Sequence, residues 1–252
     1  MRKLLAILFL VFSSGVVMAQ TVTPATAETA PATATEAQAQ VIALPKTDWL
    51  TPFSEIKVDG PLVITFKRVP TPEEARITYD TKGCLTSKFK AEIDKRGVLN
   101  IEERYDPKRT TVTEVTVCYH DIKKVKVAHA KAEFTNVVER DMFDVEISGG
   151  AELKMEVKTL DLQVNCTGRS LLTLSGNTKY LTMKVSTAKM DGAKLYTVAS
   201  IVDASHNAEV RINVSERLEA ITSTDAKLLY KGSPALLRDH TSLFGGYIRN
   251  ID

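Results

Sequence analysis

The amino-acid sequence predicts an all-β solenoid, a single domain of stacked, imperfect repeats that follows an N-terminal stretch of different composition. Three observations carry this expectation. Beyond Val125 a small residue, a variable one and a large apolar one recur together at nearly constant spacing. Apolar and charged residues alternate with a period of two inside each repeat. Glycine or small polar residues interrupt the alternation once per unit.

The recurring element reads Ala132-Glu133-Phe134, Ala151-Glu152-Leu153, Ser170-Leu171-Leu172, Ala188-Lys189-Met190, Ala208-Glu209-Val210 and Ala226-Lys227-Leu228. Its small residues are 19, 19, 18, 20 and 18 positions apart. A supersecondary unit of this length buries its apolar row against its neighbours, which is the mark of a solenoid. Side chains of a strand alternate between its two faces. Val145, Ile147, Ala151, Leu153, Met155 and Val157 therefore face inward, whereas Glu146, Glu152, Lys154, Glu156 and Lys158 face out. In the next unit Leu162, Val164, Cys166, Ser170, Leu172 and Leu174 take the inward parity. Turns are expected at Ser148-Gly149-Gly150, Thr167-Gly168, Ser186-Thr187, Ser205-His206-Asn207 and Ser223-Thr224-Asp225.

Outside the repeats the elements follow from composition. Residues 1–19 read as a secretory signal: Arg2 and Lys3, an apolar run from Leu4 to Val17, and a Val17-Met18-Ala19 cleavage site. Gln20 rather than cysteine follows the expected cut, which disfavours a lipid-anchored form. Residues 20–47 are rich in Ala, Thr, Pro and Gln, and are expected to form an extended tether. The β-domain then spans 48–252. Short alternating segments punctuated by Asp59-Gly60-Pro61, Lys82-Gly83 and Arg96-Gly97 form an N-terminal strand and cap region at 48–122. The repeat coils occupy 123–232, and 233–252 is expected to cap the far end.

Basic residues number 33 against 31 acidic ones, and loss of Arg2 and Lys3 with the signal leaves 31 against 31. A neutral chain lacks the net positive field that nucleic-acid binding requires, so no nucleic acid is expected as a partner. No segment of the mature chain is apolar enough to be read as a membrane span. Of the three cysteines, Cys84 and Cys118 either pair in an oxidising compartment or stand with Cys166 as separate thiols. The inward parity of Cys166 makes it a small core residue rather than a reactive thiol.

The segments Val145-Glu146-Ile147-Ser148-Gly149, Thr222 to Pro234, Phe53 to Pro61 and Gly97-Val98-Leu99-Asn100-Ile101 resemble the head GIN domain family, secreted bacterial proteins labelled auto-transporter adhesins. The likeness extends from about Trp49 to the C-terminus. It implies a single-stranded right-handed parallel β-helix, a Bacteroidetes-type source and no established activity. Only the first Ser-Gly turn matches the family pattern; later turns carry Thr187, His206-Asn207 and Thr224-Asp225.

Candidate sites are few. Ser205, His206 and Asp225 supply a hydroxyl, an imidazole and a carboxylate, but neighbours in an extended chain point to opposite faces, so they are read as a solvated turn. Glu133, Glu152, Leu171, Lys189, Glu209 and Lys227 should form an outward column, read as a ladder of ion pairs. His120, His129, His206 and His240 are too scattered for a metal site. No catalytic residue, metal or cofactor is expected. Phe143, Tyr180, Tyr196 and Tyr247 are placed near coil edges, and Tyr180 and Tyr196 are the candidate ligand contacts. The expectation is an exported protein of the periplasm or cell surface, a non-enzymatic, adhesin-like module that binds or scaffolds at the envelope. Its partners would be a glycan or an envelope protein. The alternative is a polysaccharide lyase or hydrolase built on a β-helix.

Overall fold

A computed structural model of the chain describes residues 44–84, 88–241 and 245–252. The expected signal sequence, and the tether as far as residue 43, lie outside the described residues. Nine short strands come first: β1 (Lys46–Trp49), β2 (Glu55–Asp59), β3 (Leu62–Arg68), β4 (Arg76–Asp80), β5 (Lys90–Ile93), β6 (Val98–Glu102), β7 (Thr113–Tyr119), β8 (Lys124–Ala128) and β9 (Lys131–Phe134). Five long ones follow: β10 (Val138–Ser148), β11 (Glu152–Thr167), β12 (Leu171–Ser186), β13 (Lys189–Ser205) and β14 (Glu209–Thr222). The chain closes with β15 (Lys227–Lys231), β16 (Leu236–Thr241) and β17 (Tyr247–Asn250). All are joined in one curled, mostly parallel ladder, a β-solenoid.

Each long strand serves two faces of the solenoid. β11 pairs with β9 through Glu152–Lys154 and with β10 from Val138↔Val157 to Ile147↔Cys166. Between the faces the strand bends, and the pairing register skips Leu160, Lys179 and Val198 on successive strands. At the other edge of each coil the chain reverses through left-handed residues: His129, Gly149-Gly150, Gly168-Arg169, Thr187, His206-Asn207 and Thr224-Asp225 all have positive φ. All but His129 lie at or beside the expected turns, stacked one upon the next. Gly150 N–H donates to the Gly168 carbonyl at 2.7 Å, and Asn207 N–H to that of Thr224 at 2.8 Å.

Apolar alternation becomes burial. Val145, Ile147, Leu153, Met155, Val157, Leu162, Val164, Cys166, Leu172 and Leu174 all lie in the core, each such side chain contributing roughly 1.5–3 kcal/mol relative to exposure. The small residues form one continuous buried row. Leu171 N–H bonds to Ala151 O, Lys189 N–H to Ser170 O, Glu209 N–H to Ala188 O and Lys227 N–H to Ala208 O. The first repeat element is offset from the expected alignment. Ala132 stands opposite Leu153, and Glu152 N–H bonds to Ala130 O, so Ala130-Lys131-Ala132 occupies the position assigned to Ala132-Glu133-Phe134. The coil from Ala130 to Ala151 is two residues longer than the expected 19, because the link from Ala132 to Val138 takes six steps where that from Leu153 to Val157 takes four. Gly176 is required where it stands: at φ +103 a Cβ would lie 2.0 Å from the Val157 carbonyl oxygen in the coil beneath.

Strands near the N-terminus do more than cap. β2 lies between β6 and β8, and β3 between β7 and β9, all in parallel, so the coil that comes first in sequence is sandwiched inside the stack. Antiparallel pairing appears only in β1–β4, β4–β7 and β5–β6 among the described residues. At the C-terminal end β16 and β17 prolong the ladder in parallel on β14 and β15. β16 is exposed along its whole length.

Candidate functional site

Two features of the outer surface stand apart from its charged ladders. The first follows the bend. An alternating strand cannot keep both parities buried as it turns a corner, so the bend puts apolar side chains into solvent. Met142, Leu160, Tyr180 and Tyr196 sit there on β10, β11, β12 and β13, exposed by 59, 48, 45 and 62%. Met142 and Tyr180 share one register column on either side of Asp161, Leu160 lies one position before that column and Tyr196, opposite Asn177, three positions before it, so these side chains form a broken ridge around the bend. The Lys179 ammonium lies 5.2 Å from the Tyr180 ring centre. Beneath the ridge Thr159 and Thr178 share a hydroxyl hydrogen bond of 2.9 Å, and Thr197 bonds Ser200 at 2.7 Å. The first bond, with that from Thr197 Oγ1 to the Asn213 carbonyl at 2.8 Å, ties neighbouring strands where ladder pairing lapses.

Tyr180 and Tyr196 are thus on adjacent strands but on opposite sides of the bend, Tyr180 opposite Ala199 and Tyr196 opposite Asn177. Phe143 is not a surface residue; one position past Met142, it takes the inward parity and is buried. Tyr247 is exposed at the start of β17, opposite Lys227.

The second feature is a 610 Å³ pocket at the turn edge near the N-terminal end, and it brings together residues that are far apart in sequence. Asp59 ends β2 and pairs with Glu102 of β6 on one side and Ala128 of β8 on the other. The next residue, His129, adopts φ +59 and turns its imidazole so that Nδ1 is 2.9 Å from Asp59 Oδ1. The ring rests on Gly149, where a Cβ would come within 2.6–2.8 Å of three ring atoms. Tyr105 and Pro61 supply apolar lining. The loop bearing Tyr105 is anchored from inside. Glu103 is buried and accepts hydrogen bonds at Oε1 from Arg109 Nη1 (2.6 Å) and Thr113 Oγ1 (2.8 Å), while Arg109 Nη2 donates to Thr81 O at 2.9 Å.

Sequence reasoning left His129 among scattered histidines and did not single out Tyr105. Alternation through Val125 and Val127 assigns His129 the inward parity, and only the pairing of Asp59 with Ala128 brings it level with Asp59-Gly60.

The remaining candidates are dispersed. Cys118 in β7 stands opposite Arg76, whereas Cys84 lies beyond Asp80, which pairs with Glu114, four residues from Cys118 on the same strand. About 13 Å of strand separates those two pairings, and the structure does not bring the two cysteines together. Cys166 is buried, which pushes its thiol up to about 12. The His206 ring meets Ser186 Oγ of the neighbouring coil at 3.2 Å. The charge column holds from Glu152 through Leu171, Lys189 and Glu209 to Lys227, but Lys131 stands above Glu152; Glu133 belongs to the adjacent column beside Lys154. Ion pairs run along both, Lys131–Glu152 at 3.1 Å, Lys154–Glu133 at 2.7 Å and Lys189–Glu209 at 3.0 Å.

A family profile described as "Putative auto-transporter adhesin, head GIN domain" matches residues 52–234. The chain belongs to the head GIN domain family. No curated protein sequence matches it. Solved structures similar to this head GIN domain include a "putative adhesin" of Bacteroides fragilis (TM-score 0.72, 16% identity, 82% of this chain and 96% of that one). Another is a "putative adhesin" of Parabacteroides merdae (TM-score 0.64, 17% identity, 83% and 96%). A third, from Parabacteroides distasonis, is titled a "putative lipid binding protein" (TM-score 0.61, 13% identity, 82% and 97%). At these identities the likeness is one of fold.

Proposed function

We propose that this head GIN domain is exported and works as a non-catalytic binding module at the cell envelope, holding its ligand along the bend ridge. The observation that carries the reading is the exposure of Met142, Leu160, Tyr180 and Tyr196 around the bend of four successive strands. Large apolar side chains gathered in one exposed region of the surface mark an interaction site. Tyrosine offers a large contact area at low entropic cost, and the stacked backbone fixes the spacing of both rings. The adhesin label of the family supports the same reading.

The test is retention of the domain from residue 48 onward on isolated envelope fractions and an immobilised glycan panel. The wild type should be retained, and a Tyr180→Ser/Tyr196→Ser variant should lose at least tenfold in retention with an unchanged melting temperature. Equal retention by that variant would overturn the ridge as the site. Polysaccharide turnover abolished by one Asp or Glu substitution would replace the binding module with the enzyme.

A further inference from the structure

We infer that the pocket at Asp59, His129 and Tyr105 is a second binding site, separate from the bend ridge, and that it takes a neutral saccharide. Met142 and Ser148 mark the two ends of one strand face, so ridge and pocket are about 20 Å apart. The volume of 610 Å³ falls within the range of small-ligand sites, about 300–1,000 Å³.

The chemistry of the lining selects the ligand class. A sugar ring presents an apolar face of C–H groups and an edge of hydroxyls that both donate and accept. Tyr105, 76% exposed, offers an aromatic plane to the first. The carboxylates of Asp59 and Glu102 accept from hydroxyls, and the Arg104 guanidinium donates to them. His129 with its ring placed against Asp59 has one nitrogen committed to the carboxylate, which fixes the orientation of the other. An anionic ligand would meet the Asp59 and Glu102 carboxylates, and a simple cation would meet Arg104.

The site is also preorganised. Asp59, Glu102 and His129 end three neighbouring strands of the ladder, and the buried Glu103–Arg109 pair fixes the root of the Tyr105 loop. Gly149 leaves room for the imidazole that any side chain there would displace. A ligand entering such a site immobilises few side chains, which favours affinity.

The experiment screens the domain against a printed array of neutral oligosaccharides and titrates each hit by calorimetry. Tyr105→Ala and Asp59→Asn should each weaken a hit at least tenfold, whereas Tyr180→Ser/Tyr196→Ser should leave its Kd unchanged. Tyr105 is exposed, so its variant should melt with the wild type and the loss can be read as binding. Retention of no neutral oligosaccharide, or an unaltered Kd in both pocket variants, overturns the inference. Loss confined to the Tyr180/Tyr196 variant overturns it too while leaving the envelope-binding reading in place. Retention on envelope protein without any sugar hit separates the two in the same way.

Discussion

Asp59 and His129 are 70 residues apart in sequence, yet their side chains meet at 2.9 Å because the coil ending in Asp59 is inserted beneath the strand that leads into His129. The first coil of the chain therefore becomes an inner layer only after later strands close over it on both sides. Several consequences of this layered construction can be measured.

Gly176→Ala should destabilise the domain by about 3 kcal/mol or more, because a Cβ would be driven into the Val157 carbonyl and the backbone holds positive φ. Gly150 also has positive φ but no heavy atom near its Cβ position. Gly150→Ala should cost only the left-handed penalty of about 1–2 kcal/mol. Urea denaturation of both variants checks the ranking.

Breaking the buried pair from one side should be costly. Arg109→Met leaves Glu103 buried without its cation, and a loss on the order of 3–5 kcal/mol is expected. Arg109→Met/Glu103→Met should recover most of that loss, since no unpaired charge is then enclosed. A double-mutant cycle by denaturation supplies the numbers.

Two buried acids set an alkaline limit. Burial pushes both Cys166 and Tyr119 up to about 12. A group whose folded pKa is raised contributes its stability fully below its ordinary value and loses it as pH climbs to the folded one. The melting temperature should therefore fall between about pH 9 and pH 12, and Cys166→Ala should remove the thiol's share of the decline. Iodoacetamide should label native Cys166 far more slowly than the denatured chain.

The Lys189–Glu209 pair is exposed on both sides, and Glu209 is held below the usual carboxylate range chiefly by that lysine. Lys189→Ala should change stability by less than about 0.5 kcal/mol. A thermal melt at low and high salt checks this; a large loss would show that the outer ladder does more than keep the surface solvated.

How much of this was legible follows from which interactions are periodic. The row Ala151, Ser170, Ala188, Ala208 and Ala226 could be read directly, because each coil imposes the same steric demand at the same place. A position near a coil edge did not decide exposure: Tyr180 and Tyr196 are exposed, whereas Phe143, placed by the same reading, is buried. Glu133 was misaligned because two additional residues lie between β9 and β10, where Ala132 to Val138 spans the register that Leu153 to Val157 spans on the next coil. The pocket was out of reach for a related reason. Its members come from β2, β6, β8 and the loop after β6, and nothing periodic announces that β2 will slip between β6 and β8.

The buried row of small residues gives the molecule interchangeable splice points. Excising the stretch from Ala151 to Arg169 would set Ser170 above Ala130, where Ala151 had rested, so the buried row would stay continuous although the ion pairs of Lys131 and Glu133 with that coil would be lost. Such a scaffold can grow or shrink by whole tiers, extending its reach in steps of about 4.8 Å, while the fittings at either extremity stay as they are.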